Sequence, residues 1–150
     1  MTVTFFGHSD VSLDIQSLPE AVLIELIETH GATMFYVGNS GGFDFLVQRT
    51  LERIKKEKPQ IEYAVALAYL TDNLRKFGET NYAKTVFPEC MDHVHPKYAI
   101  DKRNRWMIDK ADVVVTYVTH PFGGAAKLKL LAEKKGKRIV NLPELSINKT

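Results

Sequence analysis

The stretch Val113 to Val118, read VVVTYV, constrains this chain more than any other. It is a nearly unbroken apolar, β-branched run, the composition of a strand covered on both faces, and therefore of a central strand in a parallel sheet. Beyond it, Thr119 to Phe122 lead into Gly123-Gly124, and a helix-forming run from Ala125 to Lys135 begins. In an open α/β sheet, ligands bind outside such carboxyl ends.

The residues at this corner also indicate a ligand chemistry. Gly123 and Gly124 let backbone approach a ligand, and the first amides of the new helix lack internal partners, which makes an anion site. Lys127 in the first helical turn opposes the macrodipole, a cost of a few tenths of a kcal/mol that a bound anion would offset. The plainer reading is a tight strand-to-helix connection with Lys127 in water. In the preceding helix, Ile100, Asn104, Met107, Ile108 and Ala111 fall on one face, which predicts an amide inside the buried stripe. Asn104 then either holds the backbone of a glycine loop or meets the ligand. Arg103 and Arg105 flank it, each able to reach a phosphate or carboxylate with its planar fork or to lie solvated on the surface.

The rest of the chain repeats the strand-then-helix pattern. Val3 to Phe6 reads as a first strand opening into Gly7-His8-Ser9, and the S-x-x-E box at Ser17 to Glu20 starts a helix whose buried face is Val22, Leu23, Leu26 and Ile27, closed by Gly31. Thr33 to Val37 is a second strand. It enters Gly38-Asn39-Ser40-Gly41-Gly42 and a helix with the stripe Phe43, Leu46, Val47, Leu51 and Ile54. That loop suits either an amide nest for a phosphate or close backbone packing. Asp44, in the first turn, suits a local cap or a bond to a ribose hydroxyl, and it is the one acidic candidate for catalysis on either glycine loop. Ile61 to Ala68 is a third strand, Thr85 to Phe87 a short one, and Arg138 to Leu142 a last one stopped by Pro143, with Glu144 to Thr150 a surface extension. The irregular span Tyr69 to Pro96 has the length of a lid or binding segment, in which Tyr69 and Tyr82 could stack on a base or simply pack. Cys90, His93 and His95 are ligand-type residues, but their spacing completes no tetrahedral set, so no metal is expected. Strands alternating with helices predict a single-domain, doubly wound, mostly parallel α/β sheet with helices on both faces.

Composition narrows the partners. Twenty basic and 18 acidic residues are interspersed, leaving a net charge of +2 without a basic stripe, which makes nucleic acid an unlikely partner. No apolar run approaches the roughly 20 residues of a membrane helix, the amino terminus lacks a signal-like n-region, and the lone Cys90 fits a reducing compartment. These features predict a soluble, cytoplasmic protein.

Taken in order, F-F-G-H, G-N-S-G-G-F-D, R-N-x-x-M-x-D before A-D-V-V-V, and the G-G-A-A-K turn resemble the SLOG superfamily, in particular its small stand-alone members of the YpsA (DUF1273) kind, over Val3 to about Leu142. The resemblance implies a Rossmann-like domain that binds a nucleotide or nucleotide-derived ligand, compatible with a homo-oligomer and with no other cofactor. Its pocket would comprise Gly7, His8, Gly41, Gly42, Asp44, Arg103, Asn104, Gly123, Gly124 and Lys127, with Gly38 and Ser40 in the same loop. Two departures stand out. Ser9 follows the G-H pair where many relatives have arginine, and P-F-G-G-A-A-K-L-K lacks the glutamate of the P-G-G-x-G-T-x-x-E signature with which the LOG enzymes of this superfamily cleave N-glycosidic bonds. A sensing or binding module is therefore the first expectation. An N-glycosidase or deoxyribosyltransferase-like enzyme is the second, since such enzymes need a carboxylate beside the ribose. An interaction scaffold using Trp106 on an exposed helix face is the third.

Overall fold

The computed structural model describes residues 1–9, 17–69 and 85–147, the side chains of the last two excepted. Six strands form one sheet: β1 (Thr2–Gly7), β2 (Met34–Val37), β3 (Glu62–Ala66), β4 (Thr85–Val86), β5 (Val113–Tyr117) and β6 (Arg138–Asn141). Their order is β4-β3-β2-β1-β5-β6, and every pair is parallel. Among the described residues the helices are α1 (Ser17–His30), α2 (Gly42–Glu57), α3 (Pro96–Lys110), α4 (Gly124–Lys134) and α5 (Leu142–Ile147), and a 3₁₀ turn covers Glu89–Met91.

The sheet is buried on both sides. Val3, Phe5, Phe35, Val37, Val113 and Val115 face α1, α2 and Leu142 of α5. Phe6 and Val114 face Met107 and Ile108 of α3 and Ala132 of α4. Val113 to Thr116 are at most 1 % exposed, as a central strand requires. Each such fully buried aliphatic or aromatic side chain contributes about 1.5–3 kcal/mol through removal from water. The expected faces of α1 and α2 are the buried ones.

Three expectations are corrected. Ile100 is 41 % exposed and Asn104 only half-buried, because α3 turns Ala99, Arg103, Met107 and Ile108 inward instead. Trp106 is half-buried, its ring edge-on to Tyr36 at 4.9 Å, so it is not an exposed recognition residue. Pro143 does not end the chain's regular structure. It occupies the first turn of α5, where a missing N–H costs nothing, and Leu142 and Leu145 pack on the core. His95 caps α3, its Nδ1 accepting from Lys97 N at 3.1 Å, while Cys90 is exposed, and among the described residues no three His, Cys, Asp or Glu side chains gather. Tyr82 lies outside the described residues. Tyr69 donates its hydroxyl to the Pro96 carbonyl at 2.9 Å and so ties β3's exit to the start of α3. Among the described residues, no helix is long and apolar enough to cross a membrane.

Candidate functional site

Strands β1 to β4 run outward on one side of β1, and β5 and β6 lie on the other. The connections leaving β1 and β5 therefore diverge, and the crevice between them is the switch point at which doubly wound sheets bind ligands. The two strand ends are clamped together. His8 N donates to the Tyr117 carbonyl at 3.3 Å, and Thr119 N donates to His8 Nε2 at 3.0 Å.

A cavity of about 510 Å³ opens at this point, within the size range of small-molecule sites. Phe6, Gly7, His8 and Ser9 form its base, Ser40 and Asp44 one wall, and Ile100, Arg103, Asn104 and Met107 of α3 another. His120, Phe122, Gly123, Gly124, Ala125 and Leu128 close the far side. Eight of the residues singled out by sequence thus border one cavity: Gly7, His8, Ser40, Asp44, Arg103, Asn104, Gly123 and Gly124. Lys127 does not. It is exposed and borders a neighbouring groove of about 300 Å³ with Asp101 and Arg105, which pair with each other at 2.9 Å.

The two glycine corners differ in kind. In the first, Ser40 N donates to Asp44 Oδ2 and Gly42 N to the Ser9 carbonyl, both at 2.9 Å, so amides that would form a nest are already used by the chain. Gly41 adopts φ 131°, and a Cβ there would sit 2.9–3.0 Å from Ser9. Gly38 and Gly41 are thus closely packed, and neither they nor Gly42 are among the residues that border the cavity. The other corner is open. Gly123 caps α4 with no side-chain hydrogen bond, and a Cβ on Gly124 would meet nothing within 4 Å.

Arg103 departs furthest from expectation. It is 1 % exposed and works as an internal clamp. Nε donates to Asn104 Oδ1 at 2.8 Å, Nη1 to Asn39 Oδ1 at 3.1 Å and to the Ala66 carbonyl at 2.9 Å, and Nη2 to Ser40 Oγ at 3.1 Å. One guanidinium joins α3, the end of β3 and the loop after β2, a geometry only a planar fork supplies. Asn104 consequently orients the arginine and reaches the glycine loop only through it. Burial pushes the Arg103 guanidinium below its usual value, with Asp44 and Tyr69 opposing.

Asp44 lies over Gly38, where a Cβ would stand 2.9 Å from Oδ2 and 3.3 Å from Arg103 Cζ. Burial raises its carboxyl above the ordinary 3.8, against the pull of the Ser40 N–H and the Arg103 charge. With the folded value above the unfolded one, Asp44 contributes stability that is fully present below the unfolded value and lost as pH rises through the folded one. Urea unfolding of wild type and Asp44→Asn at a series of pH values should show the wild type's advantage shrinking from below pH 3.8 towards neutrality. An advantage that grows with pH would contradict the burial.

Two residues that sequence reading passed over complete the site. Asn141, at the end of β6, uses its side-chain amide as an extra rung of sheet: Oδ1 accepts from Val118 N and Nδ2 donates to the Val118 carbonyl, both at 3.0 Å, with Thr116 Oγ1 donating to Oδ1 at 2.9 Å. That pins the exit from β5 toward the cavity. His120, the second, stacks on His8. A polar residue closing a strand was the available signal for Asn141, and none marked His120.

No family model and no curated protein matches the chain. Among solved structures it is similar to DNA processing protein A (DprA) from Streptococcus pneumoniae, determined by X-ray crystallography, with a TM-score of 0.66. The chain shares its fold with DprA. The match covers 92 % of this chain and 48 % of the DprA chain at 14 % identity, so this chain spans about half the length of that neighbour. At the level of fold, this match agrees with the Rossmann-like α/β domain expected from the sequence.

Proposed function

We propose that the cavity binds a nucleotide or nucleotide-derived anion and that this chain is a binding or sensing module of the SLOG kind. The observation that carries the reading is the open amide corner at Gly123 to Ala125, bordering the same switch-point cavity as the polar wall of Ser40 and Asp44. Free N–H groups at a helix start, aligned with the macrodipole, favour a phosphate or carboxylate. The described surface carries no membrane helix, and the interspersed charge of +2 favours a small ligand over a polyanion. DprA's name refers to DNA processing, and a DNA oligonucleotide is accordingly a control ligand in the test.

Isothermal titration of the full chain with adenosine 5′-monophosphate should give saturable binding that Gly124→Asp weakens by at least about tenfold, or roughly 1.4 kcal/mol. The same substitution should leave the melting temperature unchanged or slightly higher. The new side chain enters open space, and a carboxylate in the first turn stabilises a helix by about 0.3–1 kcal/mol. Undiminished binding by the variant would remove the anion corner from the site.

A second reading rests on Asp44, a half-buried carboxyl that lines the cavity, since N-glycosidic cleavage needs a carboxylate beside the oxocarbenium-like charge of the ribose. Chromatography of the titrated samples distinguishes the two readings: free adenine that accumulates with wild type and not with Asp44→Asn would make the protein a hydrolase.

A further inference from the structure

Three rings form a ladder from the base of the cavity to its far side. His120 stacks on His8 with centroids 3.9 Å apart and planes at 11°, and on Phe122 at 4.0 Å and 22°. Two rings this close and this nearly parallel to one imidazole must take its opposite faces, so His120 is sandwiched and Phe122 is an end rung. The ladder is fixed in place. Thr119 N–H holds His8 Nε2, and His120 Nδ1 lies 3.0 Å from the Phe122 carbonyl. Phe122 is nonetheless 67 % exposed. A scattered exposed apolar residue means little, but this one borders a cavity with its ring plane held from behind.

We infer that the open face of Phe122, backed by His120 and His8, is a platform on which a planar heteroaromatic ring of the ligand stacks, so that the cavity selects a nucleobase-bearing molecule over the corresponding sugar phosphate. The inference rests on the nucleotide reading above and deepens it. A ring already immobilised by its neighbours loses little further freedom when a ligand stacks on it, which favours affinity. Stacking recognises the π face that every base has, and larger rings gain more contact, so purines bind in preference to pyrimidines. Phe122 directly precedes Gly123 in the chain, which makes the platform and the open amide corner contiguous, as are the base and phosphate of one small molecule.

The test titrates the full chain, and its Phe122→Ala and Phe122→Trp variants, with adenosine 5′-monophosphate and with ribose 5-phosphate. Phe122→Ala should weaken the nucleotide by about 5- to 150-fold, the range of a single base-stacking contact, and leave ribose 5-phosphate within about twofold. Phe122→Trp should restore nucleotide binding. The exposure of Phe122 predicts unchanged melting temperatures for both variants. Nucleotide binding that is equal in wild type and Phe122→Ala would overturn the platform and leave the nucleotide reading standing. Equal losses for both probes would overturn it as well, by making Phe122 a general wall residue. If neither probe binds wild type, both readings fall together.

Discussion

Replacing Arg103 with alanine should lower the unfolding free energy by about 3–5 kcal/mol, the range for removing one partner of a buried charged network. The loss has identifiable parts. The Ala66 carbonyl, Asn39 and Ser40 would lose their donors, and Asp44 would lose the nearby positive charge that opposes its desolvation. Against a typical total of about 5–15 kcal/mol, this is enough to shift the urea midpoint substantially. Arg103→Lys should recover less than half of it, since one ammonium cannot meet Asn104, Asn39, Ala66 and Ser40 at once. Urea denaturation followed by circular dichroism measures both variants, and an Arg103→Ala midpoint close to wild type would show that the clamp is dispensable.

Gly7→Ala should also be damaging although it adds a single methyl group. That carbon would lie 2.4 Å from Phe43 Cγ and 2.5 Å from Cδ2, and Phe43 is itself 1 % exposed, tilted against Tyr117 at 6.2 Å. The ring has to leave its place, at a cost of about 1–3 kcal/mol for overpacking. Phe43 is also the second residue of α2, so its displacement carries Asp44 with it and should weaken ligand binding as well. A double-mutant cycle isolates the cause. In a Phe43→Ala background, itself destabilised by about 3–5 kcal/mol, Gly7→Ala should cost clearly less than in wild type, because the ring contacts at 2.4 and 2.5 Å are gone and only the Cβ contact at 2.9 Å remains. A full-size penalty in that background would place the strain elsewhere.

The elements of the fold were legible where chemistry and period agree. Val113 to Val115 could only be a strand buried on both faces, and the apolar faces of α1 and α2 repeat at helical spacing, so the layered parallel sheet follows. The site was legible as two glycine corners and was misread in its interior. Apolar periodicity treats arginine as a surface residue, so α3 was turned by about one position, placing Asn104 in the stripe that Arg103 occupies. The partners of Nη1 and Nη2 are brought in by β3 and the β2–α2 loop, and those contacts are 37 to 64 residues distant in the chain. The His8–His120 pairing spans a still larger gap and depends on the order of strands in the sheet, which local spacing does not encode. Pro143 misled for a different reason: the same residue ends a strand and opens a helix, and Leu145 packing on the core decides between them.

The clamp between His8 and Thr119 joins residues 111 positions apart. A ribosome that has delivered β1 through β4 has therefore made half a crevice, with the inner edge of β1 still lacking its neighbour β5. Closure of so distant a pair is entropically slow and late. Any ligand of the proposed crevice would thus be captured only by chains whose synthesis has passed α4, and a nascent or prematurely terminated product would not compete for it.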